Sequence, residues 1–522
     1  MGHLFVAQGD LTKLSCDALV IPCDEKLNVN IAWAPILPAD TGRVGPWLRI
    51  AGTANACGVI KLPAAGDRSV WAFESPYVGY TAPNEPVDRL WTALLEIDRR
   101  LEGGRHRSKP LIGVPLVGTG DGGLAHRRGE VIAQLLDRHR TEPPRADVAL
   151  VLSDPRDFAA VQNERKLGDW PELEDALQSK ADGLGRLAAD KELSLFLGAG
   201  VSRPAGLPDW AGLLELLAQE AGMQCPPLEA GFEQAAVPIK KKLAADYVSV
   251  MRKLVDAREH AVGHALLAGL RVDQMVTTNF DPCLELALES THHRGFRVLV
   301  RELAEGGKPW LLKLHGDIRQ PDSLILDTED LERHSQDGAA LRGVVQSLLL
   351  TGHLLFVGFS FKDADFLRLA QAVTKIRNSA DCGSGYPVGT ALALTQSDAD
   401  SVDLQDLVTV VMRETGPDEA ARKLEIFLDR LGWAAATNHP LAAEYLLDSR
   451  YESALSNQDR QLNDLLTDLM SRADAATRAS SAWSRVASCL RDLGATDAKV
   501  ADTTRTSGRY HSGSVVAPDV PT

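Results

Sequence analysis

Residues 195–210 read LFLGAGVSRPAGLPDW. An apolar run breaks into Gly198-Ala199-Gly200, and an amphipathic stretch carrying Leu213, Leu214, Leu216 and Leu217 opens near Pro208. Strand, glycine turn and helix start together make a phosphate cradle. Glycine lets the backbone approach a pyrophosphate, and a helix N-terminus presents free N–H groups and partial positive charge. The stretch predicts a dinucleotide site built from Gly198, Ala199, Gly200, Val201, Ser202, Leu207 and Pro208. Such a turn suits a hydride carrier equally well, so the reaction has to be read elsewhere.

Three more motifs follow, each at a predicted strand end: VTTNFD (276–281), LKLHGD (312–317) and VGFSFKDADF (357–366). In an open parallel sheet the C-terminal strand ends line one crevice where ligands bind. Asn279, Asp281, His315, Gly358 and Ser360 are therefore expected to converge on the nucleotide. Plainer readings stand beside this one. His315 alone reads as a core histidine, a reading that recedes once Gly316-Asp317 and TTNFD are taken with it; Asn279 or Asp281 reads as a helix cap, with Asp281 the better cap, and Ser360 as a turn residue. Asp363 and Asp365 read as first-turn acids of a helix.

With all four motifs in this order, the chain resembles the sirtuin-like family of NAD-binding proteins over residues 190–415. The family's glycine loop matches GAGVSRPAGLPDW, its Asn-Asp motif matches TTNFD, its His-Gly matches His315-Gly316, and its later Gly-x-Ser matches Gly358-Phe359-Ser360. Protein deacylases of the family carry a four-cysteine zinc module after the histidine, and no cysteine pairs follow here. The chain is closer to the zinc-less branch found in bacterial antiviral defence proteins, and that resemblance implies NAD⁺ hydrolysis with no metal. The chemistry fits. Nicotinamide leaves NAD⁺ neutral, so no general acid is needed; an oxocarbenium-like centre must be stabilised and water delivered. The expected roles are His315 as base toward a ribose hydroxyl or water, and Asn279 as the group that orients it through donor and acceptor. Asp281 is expected to fix the loop or contact the nicotinamide amide, and Ser202 and Ser360 to bond phosphate or ribose oxygens.

The first 162 residues form a separate α/β unit in this reading. Strands are expected at 4–7, 18–22, 71–73, 111–116 and 147–152, with helices at 88–101 and from about Arg128. FVAQGDLTKLSCDALV (5–20) resembles the opening of the macro domain, and PLVGTGDGGL (115–124) resembles that family's phosphate loop. The resemblance implies an ADP-ribose derivative as ligand, Asp10 against adenine, and Gly118, Thr119, Gly120 and Gly122 around the diphosphate. The macro family has an Asn- and Gly-rich segment after the second strand. Here that place reads PCDEKLNVNIAWAPILP, so binding is implied and hydrolysis of the ligand is not.

The fold class is accordingly α/β. A macro-like α/β/α domain (1–162) precedes a helical linker (163–190). A Rossmann-like sirtuin-type domain (191–436) follows, with a parallel sheet of strands at 193–197, 272–277, 311–314, 353–357 and 390–394 and a helical insertion at 226–262. A helical region (437–500) starts at Pro440, with Leu441, Tyr445, Leu446, Tyr451 and Leu455 at helical spacing. The tail 501–522 is expected to be disordered.

Bulk properties exclude several classes. The chain has 522 residues, 44% hydrophobic and 24% charged, which calls for more than one core. A net charge of −15, from 56 basic and 71 acidic residues, argues against nucleic-acid binding. Seven scattered cysteines and an N-terminus without signal-peptide character point to the cytoplasm. The longest apolar stretch, 347–359, is shorter than the roughly 20 residues of a membrane helix. The reading is a gated NAD⁺ glycohydrolase in anti-phage defence, assembling as a homo-oligomer or with a defence partner. Its rivals are an NAD-dependent protein deacylase or ADP-ribosyltransferase, and a catalytically silent NAD/ADP-ribose sensor that signals by assembly.

Overall fold

A computed structural model describes residues 1–500 apart from 25, 39–47, 51–56, 65–67, 76–78, 105, 121, 230, 292–294, 301–303, 334–337, 380–386, 403, 405 and 441. The tail 501–522 and Leu441 thus lie outside the described residues.

The first sheet is built from strands buried on both faces, as helix-covered parallel strands are. Its elements in chain order are β1 (Leu4–Gln8), β2 (Ala18–Cys23), β3 (Leu48–Ile50), β4 (Cys57–Leu62), β5 (Ser69–Glu74), α1 (Asn84–Asp98), β6 (Leu111–Val114), α2 (Arg128–Thr141), β7 (Asp147–Leu152) and α3 (Pro155–Glu164). The strand order is β1-β7-β6-β2-β5-β4-β3. Pairing is parallel from β1 to β5 and antiparallel through β4 and β3. The two antiparallel strands go beyond the sequence expectation. CGVIKL places a glycine and a lysine inside a short strand, and both weaken the strand signal.

The second sheet is entirely parallel. After α4 (Asp175–Ala189) come β8 (Leu193–Leu197), α5 (Trp210–Glu220), α6 (Phe232–Leu243), α7 (Tyr247–Val255), α8 (Val262–Ala268) and β9 (Gln274–Thr277). The chain continues through α9 (Cys283–Thr291), β10 (Arg297–Leu299), β11 (Trp310–Lys313), α10 (Thr328–Arg333), α11 (Gly338–Thr351) and β12 (His353–Val357). It closes with α12 (Ala364–Ser379), β13 (Gly389–Ala393), α13 (Gln396–Asp400), β14 (Leu407–Val411) and α14 (Pro417–Asn438). The strand order is β10-β11-β9-β8-β12-β13-β14. The chain winds outward from β8 on one side and returns to β12 on the other, so a crevice opens at the C-terminal end of β8. Strands β10 and β14 extend the five expected. The helical insertion falls where expected, as α6 and α7 between β8 and β9.

Helix α5 opens just after Pro208, close to its expected place. The glycine turn first makes 3-10 turns at Ala199–Val201 and Arg203–Ala205. Helix α5 then begins at Trp210, where the side chain of Asp209 accepts the Gly212 N–H at 2.9 Å.

The two units are joined at length. Helix α4, in the stretch expected to bridge them, packs along α14. A Cβ on Gly185 would sit 2.5 Å from that of Ala434, so glycine permits this close approach. Asp429 of α14 is fully buried and gathers Arg165 at 2.6 Å, the Trp170 indole N–H at 2.7 Å, His3 at 2.9 Å and the Val6 N–H at 3.1 Å. A second seam is made by backbone: the Ser15 N–H donates to the His260 carbonyl, and the His260 N–H to the Lys13 carbonyl, both at 2.9 Å.

The C-terminal region corrects one expectation. No helix starts at Pro440; α14 ends at Asn438, and Pro440 lies just past it, where proline marks a helix stop. Tyr445 and Leu446 sit in turns, and Tyr451 in a 3-10 turn at Ser449–Ala454. These side chains and Leu455 join the core of the first unit with Val131, Leu135 and Phe158. The Tyr451 hydroxyl donates to Asp157 at 2.7 Å. Helices α15 (Asn457–Arg472), α16 (Ala475–Arg478), α17 (Ser481–Asp492) and α18 (Asp497–Val500) follow. No helix among the described residues is long and apolar enough to cross a membrane.

Candidate functional site

Two glycine loops meet at the mouth of the crevice. The Gly198 N–H donates to the Val357 carbonyl and the Gly200 N–H to the Gly358 carbonyl, both at 3.0 Å. A Cβ on Gly198 would lie 2.5 Å from the Gly358 carbonyl oxygen, and one on Gly358 2.5 Å from the Val201 nitrogen. Gly358 also has φ of +64°, a conformation that side chains resist. These glycines therefore serve first to bring the loops after β8 and β12 into backbone contact.

Behind the loops lies a closed polar cluster. The Ser202 hydroxyl donates to Asp281 Oδ2 at 2.9 Å, accepts from Asn279 Nδ2 at 3.2 Å, and lies 3.3 Å from His264 Nε2. One O–H and two lone pairs are thereby used, and Ser202 is only 1% exposed. It positions its neighbours, where the sequence reading had it bond phosphate or ribose. Because its single proton goes to Asp281, the proton of the His264 contact sits on Nε2. Burial pulls His264 down to about 4, so it is neutral. The other Asp281 oxygen accepts the Cys283 N–H at 3.0 Å and caps α9.

Asn279 sits at the turn after β9. Its Nδ2 also donates to the Gly198 carbonyl at 3.2 Å, which fixes the amide orientation because a carbonyl only accepts. Its Oδ1 is buried and accepts no hydrogen bond among the described residues. A buried acceptor without a donor is costly, and this one belongs to the turn that follows β9.

His315 follows β11. The turn depends on Gly316, at φ +92°, where a Cβ would meet the Ser323 carbonyl oxygen at 2.1 Å. The Ile325 N–H donates to the His315 carbonyl at 2.9 Å. The imidazole stands edge-on to Trp210, with ring centroids 5.6 Å apart, and its Nε2 lies 3.0 Å from Asp363 Oδ2. Trp210 and Asp363 were not expected at the site. Trp210 closes the quoted glycine stretch, and only its place at the first turn of α5 turns it toward the histidine. Below, Lys313 is buried with Nζ 2.7 Å from the Asp281 carbonyl oxygen, 3.1 Å from that of Phe280 and 2.9 Å from Glu285 Oε1.

Thus Gly198, Ala199, Gly200, Val201, Ser202, Asn279, Asp281, His315 and Gly358 share one end of the sheet. Leu207 and Pro208 are half-buried on the way to α5, and Ser360 is exposed. For a cation, the described residues bring donors of His264, Asp281 and Cys283 within 4.8 Å of one another. All three are committed to hydrogen bonds, and burial pushes the Cys283 thiol well up.

In the first unit, residues 118–120 and 122–124 lie in turns beyond β6. The Leu124 N–H donates to the Gly118 carbonyl at 3.0 Å and the Tyr80 N–H to that of Gly122 at 2.8 Å. Gly118 has φ of +76° against Pro86, and a Cβ on Gly122 would lie 2.8 Å from the Gly118 Cα, whereas one on Gly120 meets nothing within 4 Å. Thr119 is buried. Asp10 is half-buried and caps the 3-10 turn at Leu11–Lys13, accepting from the Thr12 N–H at 2.9 Å and hydroxyl at 2.7 Å.

Comparison with known proteins concerns the second unit. Residues 273–402 match the family described as SIR2-like domain. The chain is 29% identical over 189 residues to NAD(+) hydrolase ThsA of Bacillus cereus (strain MSX-D12), covering 33% of this chain and 38% of that protein. It is 26% identical over 182 residues to NAD(+) hydrolase ThsA of Acinetobacter baumannii (strain 532279), covering 33% and 37%. It is 23% identical over 203 residues to Defense-associated sirtuin 2 of Bacillus subtilis, covering 36% and 20%. The match thus spans well under half the length of these curated relatives. The parallel sheet, the four strand-end motifs and the family match agree: the C-terminal half of the chain carries a Rossmann-like SIR2-like domain.

Proposed function

We propose that the protein hydrolyses NAD⁺ to nicotinamide and ADP-ribose, acting as a gated effector of antiviral defence that depletes NAD⁺. The observation that carries this reading is the pairing of Asn279 and His315 at one crevice, with Asn279 Oδ1 buried and accepting no hydrogen bond among the described residues. A hydroxyl of the nicotinamide ribose, or the attacking water, supplies the missing donor. His315 takes its proton as the bond to nicotinamide breaks and the neutral leaving group departs. The names of the sequence relatives, NAD(+) hydrolase and defence-associated sirtuin, support the same activity.

The first unit is proposed as a macro-like reader of an ADP-ribose derivative, bound at Gly118, Thr119, Gly120, Gly122 and Asp10. Its proposed task is gating, since an always-active hydrolase would exhaust the NAD⁺ of its own cell. Assembly with another copy is part of the proposal, and the exposed Leu462, Leu465 and Leu469 on α15 suit it.

The test is nicotinamide release from NAD⁺ by full-length protein, alone and with ADP-ribose derivatives. Wild type is expected to release nicotinamide, and His315→Ala and Asn279→Ala to lose about 10²- to 10⁴-fold in rate. A wild type inert under every ligand and assembly condition, or variants with full activity, would sink the reading.

A further inference from the structure

We infer that Asp363 is a positioning residue for His315, fixing the imidazole by a carboxylate contact that spans the crevice. The inference rests on the hydrolase reading above. His315 follows β11 and Asp363 precedes α12, beyond β12, and strands β9 and β8 lie between β11 and β12 in the sheet. Yet Nε2 of the one and Oδ2 of the other are 3.0 Å apart, with both side chains only 10% exposed.

The carboxylate is held from its own side as well. Its Oδ1 accepts the Phe366 N–H at 3.0 Å, and its backbone carbonyl accepts the Leu367 N–H at 3.0 Å. Asp363 is thus the N-cap of α12, as its place before a helix suggests. The cap uses one oxygen and leaves the other for His315. The first turn of α12 is in turn anchored by Phe366, which is fully buried against Phe196 at 4.9 Å and Phe356 at 5.5 Å between ring centroids. Trp210 stands edge-on to the imidazole at 5.6 Å. The ring is therefore bounded by an aromatic edge and a rigidly mounted carboxylate.

The chemical consequence follows from the tautomer. An ionised carboxylate only accepts, so its approach to 3.0 Å favours the tautomer protonated on Nε2, which makes Nδ1 the basic atom of the proposal. During reaction the proton of the ribose hydroxyl or water moves to Nδ1. Asp363 stays ionised and stabilises the imidazolium that results, as the carboxylate of a Ser-His-Asp arrangement does.

The discriminating variants are Asp363→Asn and Asp363→Ser, because either side chain caps a helix but neither places a carboxylate beside His315. In full-length protein, melting temperature is expected to stay close to wild type and KM for NAD⁺ to change less than about 2-fold. The kcat for nicotinamide release is expected to fall about 10- to 100-fold, with Asp363→Glu recovering part of the loss. In a His315→Ala background, Asp363→Asn is expected to cost nothing further. Wild-type kcat in Asp363→Asn, a loss confined to KM, or equal losses with and without His315 would overturn the inference while leaving the hydrolase reading intact. A wild type that releases no nicotinamide would overturn that reading and this inference together.

Discussion

The ammonium of Lys313 and the carboxylate of Glu285 meet at 2.9 Å with neither side chain reaching solvent. Two backbone carbonyls, of Phe280 and Asp281, take further donors from the same ammonium. A charge inside β11 therefore ties down the turn that carries Asn279.

Lys313→Met leaves Glu285 buried without its cation, and Asp317, 3.6 Å from the same ammonium, loses it too. Removing one partner of a buried pair costs about 3–5 kcal/mol. A correspondingly lower midpoint in urea unfolding is expected, with partial recovery in Lys313→Met/Glu285→Leu. A midpoint unchanged in the single variant would mean that the ion pair does not hold the turn.

Ser202→Ala removes the hydroxyl shared by Asp281, Asn279 and His264. Leaving buried groups without their partner costs about 1–3 kcal/mol, and nicotinamide release is expected to fall because Asn279 loses a contact that orients it. Ser360→Ala, at an exposed position, is expected to change stability by less than about 0.5 kcal/mol. Equal effects of the two substitutions would contradict the closed cluster around Ser202.

Gly358→Ala drives a methyl group into the Val201 backbone at a positive φ. Overpacking of this kind costs about 1–3 kcal/mol, and NAD⁺ binding by calorimetry is expected to weaken as the loops after β8 and β12 part. Gly120→Ala is the counterpart in the first unit. Its Cβ meets nothing within 4 Å, so the fold is expected to be unaffected, and weaker ADP-ribose binding would report a ligand packed against that glycine. Unaltered ADP-ribose binding would count against a ligand at Gly120.

Acid is expected to destabilise the protein well before its carboxylates titrate. Burial pulls His139, His260, His264 and His439 each down to about 4, against about 6.5 unfolded. The unfolded chain therefore binds more protons between those values. The stability from these groups is complete above 6.5 and is lost as pH falls toward 4. For the fully buried His260 and His264 the slope is about 1.4 kcal/mol per pH unit each. His3 runs the other way. Burial pulls it down, but hydrogen bonds to Asp429 and Glu172 outweigh that and raise it, so its contribution is lost as pH rises. Burial also pulls His353 down, and five groups against one give a urea midpoint lower at pH 5.5 than at pH 7. A midpoint equal or higher at pH 5.5 would contradict this balance.

What the sequence displays is local, and the site shows where that ends. Glycines 198, 200 and 358, the Asn279 turn and the His315-Gly316 turn are legible because each sits at the end of an apolar run, and a parallel sheet gathers such ends on one edge. Asp363 reads as a helix cap, which it is; its second oxygen reaches His315 only because β8 and β9 set the distance between two loops remote in sequence. Ser202 looks like a ligand-facing hydroxyl until Asp281, Asn279 and His264 close around it. Pro440 carries an ambiguous signal, since proline favours both a helix start and the residues past a helix stop, and α14 decides between them. Strand β10, only three residues long, is too short for periodicity to mark.

Tyr445, Leu446, Tyr451 and Leu455 close the core of the first unit, so a core begun ahead of the second sheet is completed only by residues that follow it. Until those residues emerge, Val131, Leu135 and Phe158 lack neighbours that they have in the complete chain. A nascent or truncated product ending before residue 445 contains Gly118, Thr119, Gly120 and Gly122, yet lacks part of the packing of the unit that carries them. The second sheet and α14 are thus synthesised before the first unit has all of its core neighbours. The order of synthesis makes residues beyond the second sheet the ones that complete the packing beneath the proposed reader.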